Sequence, residues 1–189
     1  MAIEIAADLF LVVDLEATCD EAGMSRHERE TIEIGAVLAE ADSLAVVKQF
    51  QGFVRPVRHP ELTEYCVELT GITQAEVDAA DPFEVVFQRF LHEMVTDRDT
   101  LFVSWGGFDL RQLSRDCEFH GLVNPIEDRL DLSLTFTEHA GLPRRPSMSD
   151  AMTLAGLPVE GTLHRGIDDA RNLARLLPWC LGRAAFPEH

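Results

Sequence analysis

The first half of the chain contains three apolar segments whose patterns predict β-strands. Residues 8–16 form a continuous apolar run that ends in acidic side chains, which is typical of a buried central strand. In residues 31–39, the apolar residues Ile32, Ile34, Ala36 and Leu38 occupy every second position, which is the period of a strand. Residues 45–54 are rich in Val and Phe. Three strands in direct succession predict an antiparallel meander.

The second half alternates between helical patterns and short apolar runs. Apolar residues recur at helical spacing in four segments, residues 82–96, 108–120, 147–154 and 167–181. Residues 101–104 predict a short buried strand, whereas residues 130–134 fit either a strand or the start of a helix. Three strands followed by alternating helices and strands predict an α/β layer fold with a mixed sheet.

The composition is that of an ordinary globular protein. Hydrophobic residues make up 46% of the 189 residues and charged residues 26%, and we predict one domain over residues 1–189. No apolar run approaches the length of a membrane-spanning helix, and residues 1–5 lack the basic start of a signal peptide. We therefore predict a cytoplasmic protein without membrane contact. The cysteines form no CxxC pair and are predicted to be free thiols, some of them in the core: Cys19, Cys66, Cys117 and Cys180.

The net charge of −17 argues against a large basic surface for long duplexes. The charge is uneven, because residues 1–99 hold 7 basic and 21 acidic residues, whereas residues 100–189 hold 9 basic and 12 acidic residues. The second half is therefore the better place for a local basic surface. Fifteen of the 16 basic residues are arginine, which suits bidentate phosphate contacts, although genome base composition explains the bias equally well.

Asp14 and Glu16 end the first predicted strand and provide the first chemical signal. Because side chains alternate along a strand, both carboxylates point to one face and Leu15 points to the other. Two acids at the end of a buried apolar strand are costly unless a cation neutralises them, and hard divalent cations prefer oxygen ligands. For this pair alone, the alternative is a strand end that emerges into water.

Two further acids begin predicted helices on the inward face. Asp169 lies one turn before Leu173, and Asp109 lies one turn before Leu113, so each acid starts the apolar stripe that faces the core. Asp168 points about 100° away from Asp169 and suits the role of a helix-capping acid better. Taken singly, any acid at a helix start is also explained as a cap.

His164 lies five residues before Asp169, and Gly166 allows a tight turn between them. A loop histidine beside carboxylates is a candidate general base near neutral pH, although a single histidine is more often a surface or structural residue. Four inward acids and one histidine, all at the ends of elements, match the composition of a phosphodiester site in which carboxylates hold two cations about 4 Å apart.

Six motifs, in order, resemble those of the DEDDh exonucleases of the ribonuclease H-like superfamily. They are residues 13–19, 30–35, 53–56, 69–74, 104–109 and 164–172, and the likeness spans residues 9–177. The chain is most similar to the branch of three-prime exoribonucleases that trim histone mRNA and small interfering RNA, with their bacterial sporulation-inhibitor-like relatives. The resemblance implies a ribonuclease H-like three-layer fold, in which helices flank a mixed central sheet.

The resemblance also implies a role for each candidate residue. Asp14, Glu16, Asp109 and Asp169 would hold two Mg²⁺ or Mn²⁺ ions, with Asp14 bridging both, and His164 would be the general base. The implied activity is 3′→5′ hydrolysis of a nucleic acid, with release of one nucleoside 5′-monophosphate at a time.

Further residues match positions where the family binds its substrate. Ala17, Thr18, Leu69 and Thr70 fall where the terminal nucleotide is held, with the leucine against the last base. Trp105 falls in a segment that lines the same cleft, although a core tryptophan explains it equally well. Charge alone makes five arginines candidates for phosphate contacts: Arg111, Arg115, Arg144, Arg145 and Arg165.

The implied partner is a nucleic acid with a free 3′ end, with RNA favoured over DNA because residues 14–19 and 104–109 resemble the RNA-trimming branch. Eukaryotic members of that branch carry an additional nucleic-acid-binding module, for which 189 residues leave no room. We therefore expect short single-stranded ends as substrates, or recruitment by a protein partner.

Three alternatives stay open at this point. The site residues are shared with DNA-directed proofreading or repair exonucleases. A catalytically silent binding module on the same fold is another alternative, which the complete set of acids disfavours. His92 and Glu93 resemble the start of the zinc motif HExxH, but position 96 is Thr, so the second histidine is missing.

Overall fold

The computed structural model describes residues 6–126 and 129–187. In this part of the chain the strands are β1 (Leu9–Ala17), β2 (Thr31–Glu40), β3 (Val46–Arg55), β4 (Asp81–Pro82), β5 (Thr100–Ser104) and β6 (Arg129–Asp131). The helices are α1 (Glu64–Thr70), α2 (Gln74–Asp78), α3 (Phe83–Met94), α4 (Phe108–Phe119), α5 (Leu132–His139), α6 (Met148–Leu154) and α7 (Gly166–Cys180). None of the described helices is long and apolar enough to cross a membrane.

The strands form a mixed sheet in the order β4-β3-β2-β1-β5-β6. The first three strands are antiparallel neighbours, so the predicted meander is confirmed. β5 runs parallel to β1, and β6 runs parallel to β5. The predicted α/β fold, with helices flanking a mixed central sheet, is therefore confirmed.

Apolar layers cover both faces of the sheet, and β1 supplies side chains to each. Phe10 and Val12 pack with α5, α6 and α7 on one face. Leu11 and Leu15 pack with α3 and α4 on the other. β1 lies between β2 and β5, and helices cover both of its faces, so its side chains are buried on each side and its continuous apolar run follows from this position.

The undecided segment at residues 130–134 contains the end of a strand and the start of a helix. β6 ends at Asp131 and α5 begins at Leu132. The Asp131 side chain accepts hydrogen bonds from the backbone N–H groups of Ser133 and Leu134, which caps α5. A single residue therefore belongs to the strand and caps the helix, which explains why the pattern fitted both.

The apolar pattern of the sequence does not predict α1 and α2, because helices of seven and five residues are too short to show a clear period. Their ends are nevertheless fixed by side chains. The hydroxyl of Thr63 caps α1, and Thr73 and Glu76 form a reciprocal capping box at α2. The capping box was the signal for α2 in the sequence.

The start of α7 lies directly against β2 at Gly35. A methyl group on Gly35 would overlap backbone atoms of Gly166 and Ile167, and neither backbone can move without displacing the helix. We expect Gly35→Ala to lower the free energy of unfolding by about 3 kcal/mol or more, because overpacking against backbone cannot relax as it does against a side chain.

Urea unfolding of the metal-free protein measures this effect. Gly107→Ala is the matched control, because its added methyl group would meet only the mobile ends of Arg111 and Arg129, and its loss of stability should be clearly smaller. Equal midpoints for Gly35→Ala and the parent protein would show that α7 does not need this close approach.

Candidate active site

β1 presents two of the predicted acids at the point where its pairing with β5 stops. The parallel register ends at Val12 and Val103, so β1 continues alone on that side through Asp14 and Glu16. Both carboxylates lie on the same face of β1, as the alternation predicted, and the structure shows that α7 packs on this face. Asp14 is paired across the sheet with Gly35, which has no side chain to fill the space beside it.

Asp109 approaches the same strand from the first turn of α4. It is buried, and its Oδ1 atom accepts a hydrogen bond from the backbone N–H of Leu15 at 3.1 Å. This bond uses the N–H group of the residue between Asp14 and Glu16. It therefore ties the start of α4 to the acidic end of β1.

Asp169 and His164 reach the site from the start of α7. Asp169 is buried, and its Oδ2 atom accepts the backbone N–H of His164 at 2.9 Å. His164 is exposed and has a φ of 61°, a left-handed conformation that costs free energy in a residue other than glycine. Ligand atoms of Glu16, His164 and Asp169 all lie within 4.8 Å of one another. The structure thus brings residues from both ends of the chain together.

Glu33 is a buried acid beneath this cluster that the sequence patterns did not single out. Its carboxylate accepts the backbone N–H groups of Gly166 at 3.1 Å and Ile167 at 3.4 Å, and it accepts the Gln51 amide at 2.8 Å. The Arg165 guanidinium lies 3.6 Å away. Glu33 therefore accepts hydrogen bonds from N–H groups that have no partner within α7. These bonds hold the start of the helix that carries Asp169 in position.

Burial and mutual repulsion make these acids reluctant to ionise. Burial raises the pKa of Asp14 well above its usual range, and the charges of Asp109, Glu16 and Asp169 raise it further. Burial, followed by the charge of Asp169, raises the pKa of Glu16 to about 9. Burial also raises the pKa values of Asp109 and Asp169 to about 6 each. A positive charge bound at this site would favour the ionised form of all four carboxylates.

The unsatisfied oxygens of the site fit a divalent cation. The side chains of Asp14 and Glu16 accept no hydrogen bond from any residue that the structure describes, and Oδ1 of Asp169 is buried without a partner. A buried carboxylate oxygen normally finds a donor, so the unpaired Oδ1 of Asp169 beside two further acids points to a ligand of another kind. Oxygen donors with one histidine beside them suit Mg²⁺ or Mn²⁺.

The site opens into a cleft of about 420 Å³, which is in the range of about 300–1,000 Å³ typical of ligand sites. Asp14, Glu16, Asp109, His164 and Asp169 all line this cleft. The geometry thus collects all the predicted catalytic residues at one opening.

The predicted nucleotide-binding residues divide into two groups. Ala17, Leu69 and Trp105 line the cleft, and Leu69 is 36% exposed. Thr18 and Thr70 are buried behind it, where their hydroxyl groups accept backbone N–H groups of nearby residues. Trp105 combines both interpretations of the sequence, because it lines the cleft and also packs against Phe136 in the core.

The five candidate arginines have different environments. Arg165 pairs with Glu33 and Glu76, and Arg145 pairs with Asp131 at 3.1 Å. Arg144 is exposed. Arg111 and Arg115 form no ion pair with any described carboxylate, and Arg115 is half-buried and donates to Oε1 of Gln112 at 3.0 Å.

The wall of the cleft also contains residues that sequence reasoning did not select. Arg29 lines it, as do residues 147–149 at the start of α6. Arg29 adjoins the motif at residues 30–35, which was the only signal for it. Nothing in the sequence indicated that the loop before α6 would face residues more than 100 positions away. His92 and Glu93, the partial zinc motif, lie on α3 and outside this wall.

Comparisons with known proteins identify the family. The exonuclease family model RNase_T matches residues 11–177. ERI1 exoribonuclease 2 of Homo sapiens is 32% identical over 194 residues, which cover 91% of this chain and 28% of that protein. The 3′-5′ exoribonuclease 1 of Rattus norvegicus is 29% identical over 184 residues, covering 93% of this chain and 53% of the relative. The chain therefore spans about half or less of the length of these relatives.

A solved structure gives the same result for the fold. The nuclease domain of 3′hExo, a DEDDh family member bound to rAMP, superposes with a TM-score of 0.87 and 27% identity. The match covers 98% of this chain and 99% of that domain. A family model that spans most of the chain and a fold shared over almost its whole length agree with the motifs in the sequence. This chain belongs to the exonuclease family, on the ribonuclease H-like fold of its DEDDh members.

Proposed function

We propose that this chain is a 3′→5′ exonuclease that acts on single-stranded 3′ ends, preferably of RNA, and releases nucleoside 5′-monophosphates. The observation that carries the proposal is the convergence of four acids and one histidine at a single cleft: Asp14, Glu16, Asp109, Asp169 and His164. Relatives named as exoribonucleases support RNA as the substrate. The proposal extends to DNA only as a slower substrate.

The four acids are proposed to hold two Mg²⁺ or Mn²⁺ ions. Asp14 would be a ligand of these ions together with Glu16, Asp109 and Asp169, because all four line the same cleft. When bound, the cations would stabilise the negative charge that develops on the attacking and leaving oxygens of phosphodiester hydrolysis. The pairing of Oδ2 of Asp169 with the loop leaves Oδ1 as its free ligand atom.

His164 is proposed to act as the general base. Its backbone bond to Asp169 holds the loop, while its exposed side chain lines the cleft. A neutral ring nitrogen accepts a proton from water as the water oxygen bonds to the terminal phosphorus. The bond from that phosphorus to the 3′ oxygen of the preceding nucleotide breaks, and this oxygen leaves with the electron pair and takes a proton from solvent.

The terminal nucleotide is proposed to lie between Leu69 and Trp105. Leu69 offers an exposed apolar surface at the cleft, and the Trp105 ring is held by a hydrogen bond from its Nε1 atom to the carbonyl of Pro146 at 3.2 Å. Ala17 lies at the end of β1, where only backbone and a methyl group face the substrate. Thr18 and Thr70 then support this pocket from behind rather than contact the nucleotide by their hydroxyl groups.

The test uses a 5′-labelled single-stranded RNA oligomer with Mg²⁺ or Mn²⁺, beside its DNA twin and an EDTA control. We expect a ladder that shortens from the 3′ end and disappears with EDTA, with the RNA cut faster than the DNA. Faster cleavage of the DNA would favour a proofreading or repair exonuclease. Absence of cleavage by folded protein in either metal, combined with retained oligomer binding, would favour a silent binding module.

A further inference from the structure

Five arginines near the cleft form no ion pair with any acid that the structure describes, although acids outnumber bases in this chain by 33 to 16. They are Arg26, Arg29, Arg111, Arg115 and Arg129, here called the arginine track. None of them forms an ion pair within residues 6–126 and 129–187, whereas Arg58, Arg98 and Arg165 are each paired with acids. In a chain with this excess of acids, most arginines could be stabilised by a neighbouring carboxylate. A group of arginines without such a neighbour therefore suggests an anionic partner from outside the chain.

The first part of the track starts at the wall of the active-site cleft. Arg29 lines the cleft, and its Nε atom donates to the carbonyl of Met24 at 3.2 Å, which holds the side chain in place. Burial lowers the pKa of Arg115, Asp116 opposes this, and repulsion from Arg111, Arg26 and Arg29 lowers it further. Arg26, Arg29 and Arg111 are therefore all close enough to Arg115 to repel its charge.

The second part of the track continues from Arg111 around the start of α4. The Nη1 atoms of Arg111 and Arg129 both lie against Gly107, two residues before Asp109. Arg111 and Arg129 also line a groove of about 530 Å³ that adjoins the cleft through residues 105–108. Two acids and three arginines line that groove: Asp131 accepts the Gly106 N–H and pairs with Arg145, and Glu138 is exposed, so Arg111 and Arg129 face one acid that is not paired.

We propose that the arginine track binds the phosphates of a single strand on the 5′ side of its terminal nucleotide. This inference rests on the proposed function, because it continues the path of a strand whose 3′ end lies in the cleft. Phosphate oxygens suit guanidinium groups, and a bound strand would replace repulsion between the arginines by attraction. Since phosphates are common to RNA and DNA, the track adds affinity without selecting the sugar.

The experiment measures binding of a 5′-fluorescein-labelled 12-nucleotide oligouridine by anisotropy in EDTA, so that cleavage does not interfere. We expect the double variant Arg29→Gln/Arg111→Gln to bind roughly tenfold more weakly at low salt. The slope of log affinity against log salt should fall by about 0.7 for each phosphate that the variant no longer neutralises. A matched DNA oligomer should lose affinity by the same factor.

Arg89→Gln is the control, because Arg89 is exposed on α3, forms no ion pair with the described acids and lines neither the cleft nor the groove. A second readout is cleavage of the 12-mer and of a dinucleotide in Mn²⁺. The double variant should have a higher KM for the 12-mer, and its KM for the dinucleotide should rise clearly less, because a dinucleotide in the cleft reaches Arg29 but not the rest of the track.

The possible failures are distinguishable. Unchanged affinity and salt slope in the double variant would refute strand binding by the arginine track, whether or not the parent protein cleaves RNA. Weakened binding without any hydrolysis by the parent protein would support the track as a strand-binding surface and overturn the proposed exonuclease activity. An equal loss of affinity in Arg89→Gln would show that the oligomer responds to the net charge of the protein rather than to particular arginines. This result would also refute the proposal that the arginine track binds the strand.

Discussion

An Asp14→Asn variant is expected to lose on the order of 10³-fold in cleavage rate, as when one essential electrostatic group is removed. In EDTA, however, the same variant should be more stable than the parent protein. Asp14 lies within the electrostatic reach of four other carboxylates, those of Asp109, Glu16, Asp169 and Glu33. Burial and these charges together raise the pKa of Asp14, so keeping its carboxyl in the metal-free site costs free energy that a neutral amide does not, and the same replacement removes a proposed cation ligand.

The two effects are measured by single-turnover cleavage of labelled RNA and by thermal unfolding in EDTA. The melting temperature should rise by about 2–4 °C for each kcal/mol of relieved repulsion in a protein of this size. Asp97→Asn is the control, because Asp97 is exposed and makes no contact with the cleft. Full activity in Asp14→Asn would refute the assignment of Asp14, and a lower melting temperature would show that the acids are not in mutual repulsion.

His164→Ala should lower the cleavage rate by about 10²- to 10⁴-fold at neutral pH, the usual contribution of a general base. The thermal stability should change little, because the hydrogen bond from His164 to Asp169 is made by the backbone N–H and survives the substitution. The side chain is exposed at the cleft, so added imidazole can reach the vacated space and should restore part of the rate.

His92→Ala is the control for this experiment. His92 is exposed on α3, outside the cleft, and it belongs to the incomplete zinc motif, so full activity in this variant also removes that alternative. Near-full activity of His164→Ala at pH 7 would show that another group accepts the proton. A large loss of thermal stability would instead indicate that the histidine side chain supports the fold.

The positions of the four candidate acids were predictable because they follow from simple periodicity. Strand parity placed Asp14 and Glu16 on one face, and helical spacing placed Asp109 and Asp169 on inward stripes; the structure has each of the four where these rules put it. The resemblance then predicted that these elements meet, which periodicity alone does not show.

Glu33 shows where prediction from the sequence stopped. The alternation of residues 31–39 suggested a strand with two different faces, but Thr31 through Ala39 are all buried because β1 and β3 flank β2 and helices cover both sides. An acid on that strand therefore lies in the interior, bound to the start of α7. Such a partner comes from a contact 133 residues away, and no local pattern contains it.

The placement of the arginines was equally beyond the sequence. Arg145 and Arg165 looked no different from Arg111 and Arg115, yet the first two are neutralised by acids in the fold and the last two are not. Which cation stays free to bind a ligand depends on where each acid ends up after folding. The sequence gives the number of basic and acidic residues, whereas the tertiary structure decides which arginines pair with acids.

The close contact between β1, β2 and the start of α7 has a consequence for synthesis of the protein. Asp14 lies on β1, whereas Asp169 and His164 lie at the start of α7. A growing chain on the ribosome therefore carries an incomplete set of acids until α7 has emerged and docked at Gly35. Because such long-range contacts form late in folding, the proposed hydrolytic activity would begin only when the native fold is complete, and partly made chains would not cleave the proposed RNA substrate.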